Sequence, residues 1–181
     1  MKKNRLAYTL TLTALMTAVI CVVAPLSIPI GPVPISLSIL ALFLSVYLLG
    51  WKLGTLSCLL YLLIGLLGVP VFSGFTGGVG KLFGPTGGYM IGYIPLCVLS
   101  GLVIDHYEKR WIHALGMTGG VLIAYTLGTA WFCHLMEMDI PSALSLCVFP
   151  FIPADIAKII IALILGPMIR KRLRREGILQ K

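Results

Sequence analysis

A carboxylate and an ammonium stand three residues apart in FPFIPADIAKIIIALIL, residues 149–165, a run that is otherwise apolar. Helical spacing puts Asp155 and Lys158 on one face, a turn from each other. A charge placed at the centre of a bilayer costs about 2.5–3.5 kcal/mol on insertion scales, and ionisable residues inside membrane spans mark functional sites by default. The carboxylate accepts N–H bonds and the ammonium donates to a carbonyl or carboxylate. Together they suit a small polar ligand that offers both donors and acceptors. The competing reading is an internal ion pair that only locks this helix to its neighbours. Tyr89 and Tyr93, four apart, offer either an aromatic wall at similar depth or a pair of interfacial belt residues.

A second stretch that could do chemistry is GGVGKLFGPTGGY, residues 77–89, with six glycines and one lysine. A phosphate cradle needs G-x-x-x-x-G-K-[ST], in which backbone N–H groups and Lys hold phosphates and a hydroxyl holds magnesium. Counting from Gly80-Lys81, the first glycine falls on Phe75 and the hydroxyl on Leu82, so two defining positions fail. Glycine also permits positive φ and close backbone approach to a ligand. Non-helical backbone at membrane depth is tolerated only where protein buries it or a cavity needs it. A lid over an outward-facing pocket meets both conditions, and Pro70, Phe72, Phe75 and Pro85 point to a packed loop rather than a loose connector.

Catalytic readings gather no residues. His106 and His113 are expected in a loop far from Asp155, and His134 lacks an H-x-x-x-H partner. Ser36, Ser38, Ser57, Ser73 and Ser100 stand in no nucleophile motif. The five cysteines are scattered without a C-x-x-C pair, the pattern of buried thiols. An intramembrane hydrolase therefore has nothing assembled behind it.

The elements that must position Asp155 and Lys158 are membrane helices. Only 11% of the chain's 181 residues are charged and 59% are hydrophobic, whereas soluble domains carry about a quarter charged. The expected fold is an all-α membrane protein, a single domain over residues 1–181, with six spans of about 20 residues or somewhat fewer. They are residues 6–25, 36–49, 53–69, 88–104, 115–135 and 151–169. Breaks fall at the Pro-rich residues 27–34, at Gly50-Trp51-Lys52, at the glycine-rich loop between the third and fourth spans, and at residues 106–113 and 137–141. The charge of +8 gathers at both ends of the chain and in the loops that share their side. Lys2, Lys3, Arg5, Lys52, Lys109, Arg110, Arg170 to Arg172, Arg174, Arg175 and Lys181 lie there. Lys81 and the acids Glu137 and Asp139 lie opposite. The positive-inside rule then puts both termini in the cytoplasm and the glycine-rich loop outside. Basic charge so placed speaks for a membrane and against nucleic acid. In the first span, Ala7, Thr11, Ala14 and Ala18 form a stripe of small residues through which another helix could approach closely, inside the bundle or outside it.

GVPVFSGFTGGVGKLFGPTGGYMIGY, residues 68–93, closely resembles the signature of the BioY family, the biotin-specific S components of energy-coupling factor vitamin transporters. PIGPVPISLSILALFL and PFIPADIAKIIIA resemble the same family in order and spacing. The resemblance implies a six-helix subunit of the plasma membrane that captures biotin outside and delivers it inward. It carries no cofactor and is not an enzyme. Its partners would be a transmembrane coupling protein and two ABC-type ATPases, with Ala14 and Ala18 as the docking surface. Ligand contacts would come from Asp155, Lys158 and Tyr89, with loop residues Gly78, Lys81 and Thr86 supplying others. Asp155 would accept ureido N–H groups, and Lys158 would serve the ureido carbonyl or the carboxylate. The chain departs from the family's VPIT-x-Q pattern at Ser36 and Ser38, where a pocket or lid contact would differ. An S component for another vitamin is the alternative within transport.

Overall fold

The computed structural model describes residues 2–29 and 33–176. Residues 30–32 of the Pro-rich stretch, and Lys181 of the basic C-terminal end, lie outside the described residues. In chain order come α1 (Lys2–Val23), β1 (Ser27–Ile28), β2 (Ile35–Ser36), α2 (Ser38–Leu66), α3 (Val79–Leu82), α4 (Gly87–His106), α5 (Arg110–Met136), α6 (Ile140–Cys147) and α7 (Ile152–Arg175). The two short strands pair antiparallel, Ser27 opposite Ser36, and close the connection between α1 and α2. Four helices, α2, α4, α5 and α7, are long and apolar enough to cross a membrane, and Ala7–Val23 of α1 is a shorter apolar helix.

Within α2 the chain reverses. Gly50 has φ 80 and ψ 174, a region that is essentially glycine-only. A Cβ on Gly54 would come 2.7 Å from the Cα of Val46, although residues eight apart in an unbroken helix stand about 12 Å apart. The arms 38–49 and 51–66 therefore lie against each other, and the Ser45 hydroxyl donates to the Gly54 carbonyl at 3.4 Å. The break expected at Gly50-Trp51-Lys52 is this turn. Asp105, near the end of α4, fastens it: Oδ2 accepts from the Trp51 N–H at 2.8 Å and Oδ1 from Arg170 of α7 at 3.3 Å.

α4 and α5 pack most closely. A Cβ on Gly92 would come 2.7 Å from the Cα of Ala124, so the small residues set the interhelical distance. Around this pair the core gathers Phe43, Tyr47, Tyr61, Phe72, Leu96 and Met117, all buried. α7 is apolar outside and polar inside. Ile156, Ile160 and Ile164 are exposed, while Asp155, Lys158, Ala162 and Gly166 are buried. That inversion is stable only where the surroundings are apolar.

The structure adds one element that the sequence reading left unassigned and corrects one expectation. The region after residue 141 holds a helix, α6, whose first turn is capped by Asp139 Oδ2 accepting from the Ser142 N–H at 3.1 Å. His113 does not lie in a loop, because α5 starts at Arg110. It is buried, with Nδ1 3.0 Å from the Tyr47 hydroxyl and Nε2 2.7 Å from the Tyr107 carbonyl. Both ring nitrogens are thereby engaged in joining α5 to α2 and to the connection before it.

The glycine-rich loop is packed. Phe72 is fully buried and meets the ring of Tyr61 edge-on at 5.5 Å. The Gly78 N–H donates to the Gly65 carbonyl at 2.7 Å, and the Gly74 N–H to the Pro25 carbonyl at 3.0 Å. The loop is thus tied both to α2 and to the connection after α1, at one end of the bundle.

Candidate functional site

Asp155 sits in the first turn of α7, where the helix dipole favours an anion. It is 3% exposed and Lys158 is 6% exposed. Lys158 Nζ donates to Asp155 Oδ1 at 2.7 Å, and the Tyr125 hydroxyl of α5 donates to Oδ2 at 2.5 Å. Each carboxylate oxygen therefore has a donor and keeps lone pairs for more, while Lys158, among the described residues, keeps two unused N–H groups. Removing either charge would strand the other in a buried position at a cost of about 3–5 kcal/mol; the three-residue cluster makes both tenable.

Asp155, Lys158, Tyr125, Tyr89, Tyr93 and Phe151 line a chamber with a cavity volume of about 40 Å³. A second chamber of about 30 Å³ adjoins it, sharing Ser36, Tyr89 and Tyr93 in its wall. Hydroxyls dominate the second, from Ser36, Ser38, Tyr61, Ser73 and Thr86. Ser36 and Ser38 bond to each other at 2.6 Å. Tyr89 stands between the chambers, its hydroxyl 3.2 Å from Thr129 Oγ1 and donating to the Cys147 carbonyl at 3.4 Å.

Of the residues singled out in the sequence, Asp155, Lys158 and Tyr89 meet in the first chamber, and Thr86 and Tyr89 line the second. Gly78, with φ 90, precedes the short α3 that carries Lys81, and neither residue lines either chamber. Ala14 and Ala18 line neither chamber and are exposed on α1 together with Ala7 and Thr11. Tyr125 escaped the sequence reading. An isolated tyrosine within an apolar span carries no pattern that distinguishes a partner of Asp155 from an ordinary core or belt aromatic.

The fold and the site together define a multi-pass membrane protein with an enclosed polar site at one end of a helical bundle. Comparison with known proteins narrows this further. The chain belongs to the BioY family, whose model matches residues 1–175. It is 40% identical over 158 residues to a Biotin transporter BioY of Thermotoga maritima, covering 87% of this chain and 92% of that one. It is 38% identical over 165 residues to Biotin transporter BioY2 of Lactococcus lactis, covering 91% of each. Among solved structures, a crystal structure of the S-component for biotin from an ECF-type ABC transporter matches with a TM-score of 0.85 and 33% identity. That match covers 94% of this chain and 95% of the other.

Proposed function

We propose that this protein is the biotin-binding S component of an ECF-type vitamin transporter. The observation that carries the reading is the buried Asp155–Lys158–Tyr125 cluster, which lines a cavity together with Tyr89, Tyr93 and Phe151. Biotin's ureido group has two N–H donors and one carbonyl. Asp155 accepts the N–H groups on its remaining lone pairs and Lys158 donates to the carbonyl, while Tyr93 and Phe151 flank the apolar bicycle. Family membership and the printed names of the relatives support the same ligand.

The two arms of α2 make six long helical segments of the bundle, which we read as six crossings with both termini cytoplasmic. The basic ends of the chain favour this orientation, and the glycine-rich loop and the chambers then face outside. Transport is driven by a transmembrane coupling protein and two ABC-type ATPases, docked against Ala14 and Ala18. The subunit itself performs no catalysis.

Calorimetric titration of biotin into the detergent-purified protein tests the reading. One-site binding, lost in Asp155→Asn, is expected. A folded wild type that does not bind biotin overturns it and turns attention to other vitamins.

A further inference from the structure

A groove runs along the outside of the bundle between α5 and α6, apart from the two chambers. On α5, Leu122, Tyr125, Thr129 and Cys133 follow one another at helical spacing and form its floor. Ile140 and Leu144 of α6, and Val148 just after it, stand four apart and form the facing wall. The other side of α6 turns Ala143 and Cys147 into the core. The groove has a volume of about 550 Å³, far more than either chamber. Leu122 and Ile140 are exposed, so it opens away from the bundle. Its wall carries three hydroxyls, and each has a partner inside the protein. Tyr125 donates to Asp155 Oδ2, Thr126 Oγ1 donates to the Leu122 carbonyl at 2.8 Å, and Thr129 Oγ1 pairs with the Tyr89 hydroxyl at 3.2 Å. What remains for an occupant is hydrocarbon and the Cys133 thiol, a weak donor. An apolar space left empty costs its lining the dispersion contacts of a filled one.

We propose that this groove is a binding site for one acyl chain of a membrane phospholipid, lying along α5 and filling the space between α5 and α6. Dimensions favour a chain over a partner helix. From Leu122 to Cys133 the groove follows about 16 Å of helix, and one leaflet of a bilayer core is about 15 Å deep. Spread over that length, its volume gives a cross-section of about 35 Å², less than half that of a helix about 10 Å across. Tyr125 lines both the groove and the first chamber. The chain therefore packs against the outside of the partition whose inner side holds Asp155. The site needs only the membrane placement of α5 and is independent of which vitamin the chambers hold.

The test reconstitutes the protein into phosphatidylcholine vesicles doped with a phosphatidylcholine that carries a diazirine midway along one acyl chain. After irradiation, adducts are mapped by peptide mass spectrometry. In wild type they are expected to be several-fold denser, residue for residue, on the groove lining within residues 122–148 than on Ile156, Ile160 and Ile164, which α7 exposes. Ala130→Trp sets an indole into the groove from an exposed position, and Leu127→Trp sets the same ring on α5 outside the groove lining. Ala130→Trp should bring the adducts down to the level on α7, and Leu127→Trp should leave them high. Even labelling of α5, α6 and α7 in wild type overturns the proposal and leaves an ordinary lipid-facing surface. Adducts undiminished in Ala130→Trp overturn it as well. Absence of adducts on residues 122–148, with the protein dimeric in the same vesicles, overturns it and assigns the groove to a second copy of the chain.

Discussion

At the scale of the residue, Asp155 and Lys158 hold each other in place, beside the ligand role proposed for them. A buried ion pair gains little over an apolar pair of similar volume, but removing one partner strands the other charge at a cost of about 3–5 kcal/mol. Lys158→Met should therefore lower both the unfolding midpoint in detergent and biotin binding. The double variant Asp155→Leu/Lys158→Met should recover most of the midpoint and none of the binding. Thermal unfolding and titration, run in parallel, separate the two effects. A double variant as unstable as the single one would show that the surrounding packing, not the stranded charge, sets the cost. The pair was legible in the sequence because charge inside an apolar run is rare and its spacing is helical. Tyr125 was not, since its link to Asp155 joins two helices and leaves no local pattern. Ser36 and Ser38 stood out as a departure from a family motif, but only their 2.6 Å contact and shared chamber give that departure a place in the site.

At the scale of the element, the turn in α2 shows what glycine does that no other residue can. Gly50 lies at φ 80 and ψ 174, where a side chain costs about 1–3 kcal/mol in backbone strain. A Cβ there would also stand 2.8 Å from Asp105 Oδ2, the atom that accepts from Trp51 N–H. Gly50→Ala should thus loosen the contact among α2, α4 and α7 and lower the unfolding midpoint. Gly80→Ala should leave the midpoint where it is, because a Cβ at Gly80 meets no atom within 4 Å. Equal midpoints for both variants would remove strain from the account of the hairpin. The sequence showed the break through Gly50-Trp51-Lys52 and located the long helices, because apolar length and turn residues are strong signals. It missed α6, whose eight residues are too few to cross a bilayer and are flanked by loop-like composition. The Asp139-Ile140-Pro141 start, a capping acid followed by proline, was the signal available.

At the scale of the whole molecule, the question is which face meets a partner. Composition and charge could mark α1 as a membrane helix with a small-residue stripe, but a stripe alone does not say whether it turns inward or outward. Packing decides this. Thr13, Met16, Thr17 and Ile20 are buried, and the Ser57 hydroxyl donates to the Thr13 carbonyl at 3.3 Å, so α1 is held to α2 by its other side. Ala7, Thr11, Ala14 and Ala18 are left exposed. An exposed row of small side chains lets a partner helix approach to backbone contact, and a bulky residue there blocks it without disturbing the bundle. The chambers lie among the other helices, and α1 contributes none of their lining residues. Ala14→Trp combined with Ala18→Trp should consequently leave biotin affinity unchanged in detergent. In vesicles reconstituted with the coupling protein and both ATPases, the same variant should lose ATP-driven biotin uptake and co-purify poorly with the coupling protein. Uptake at the wild-type rate would mean that the coupling protein docks elsewhere. Loss of biotin affinity along with uptake would mean that α1 supports the site through α2, and that its small residues serve packing rather than docking.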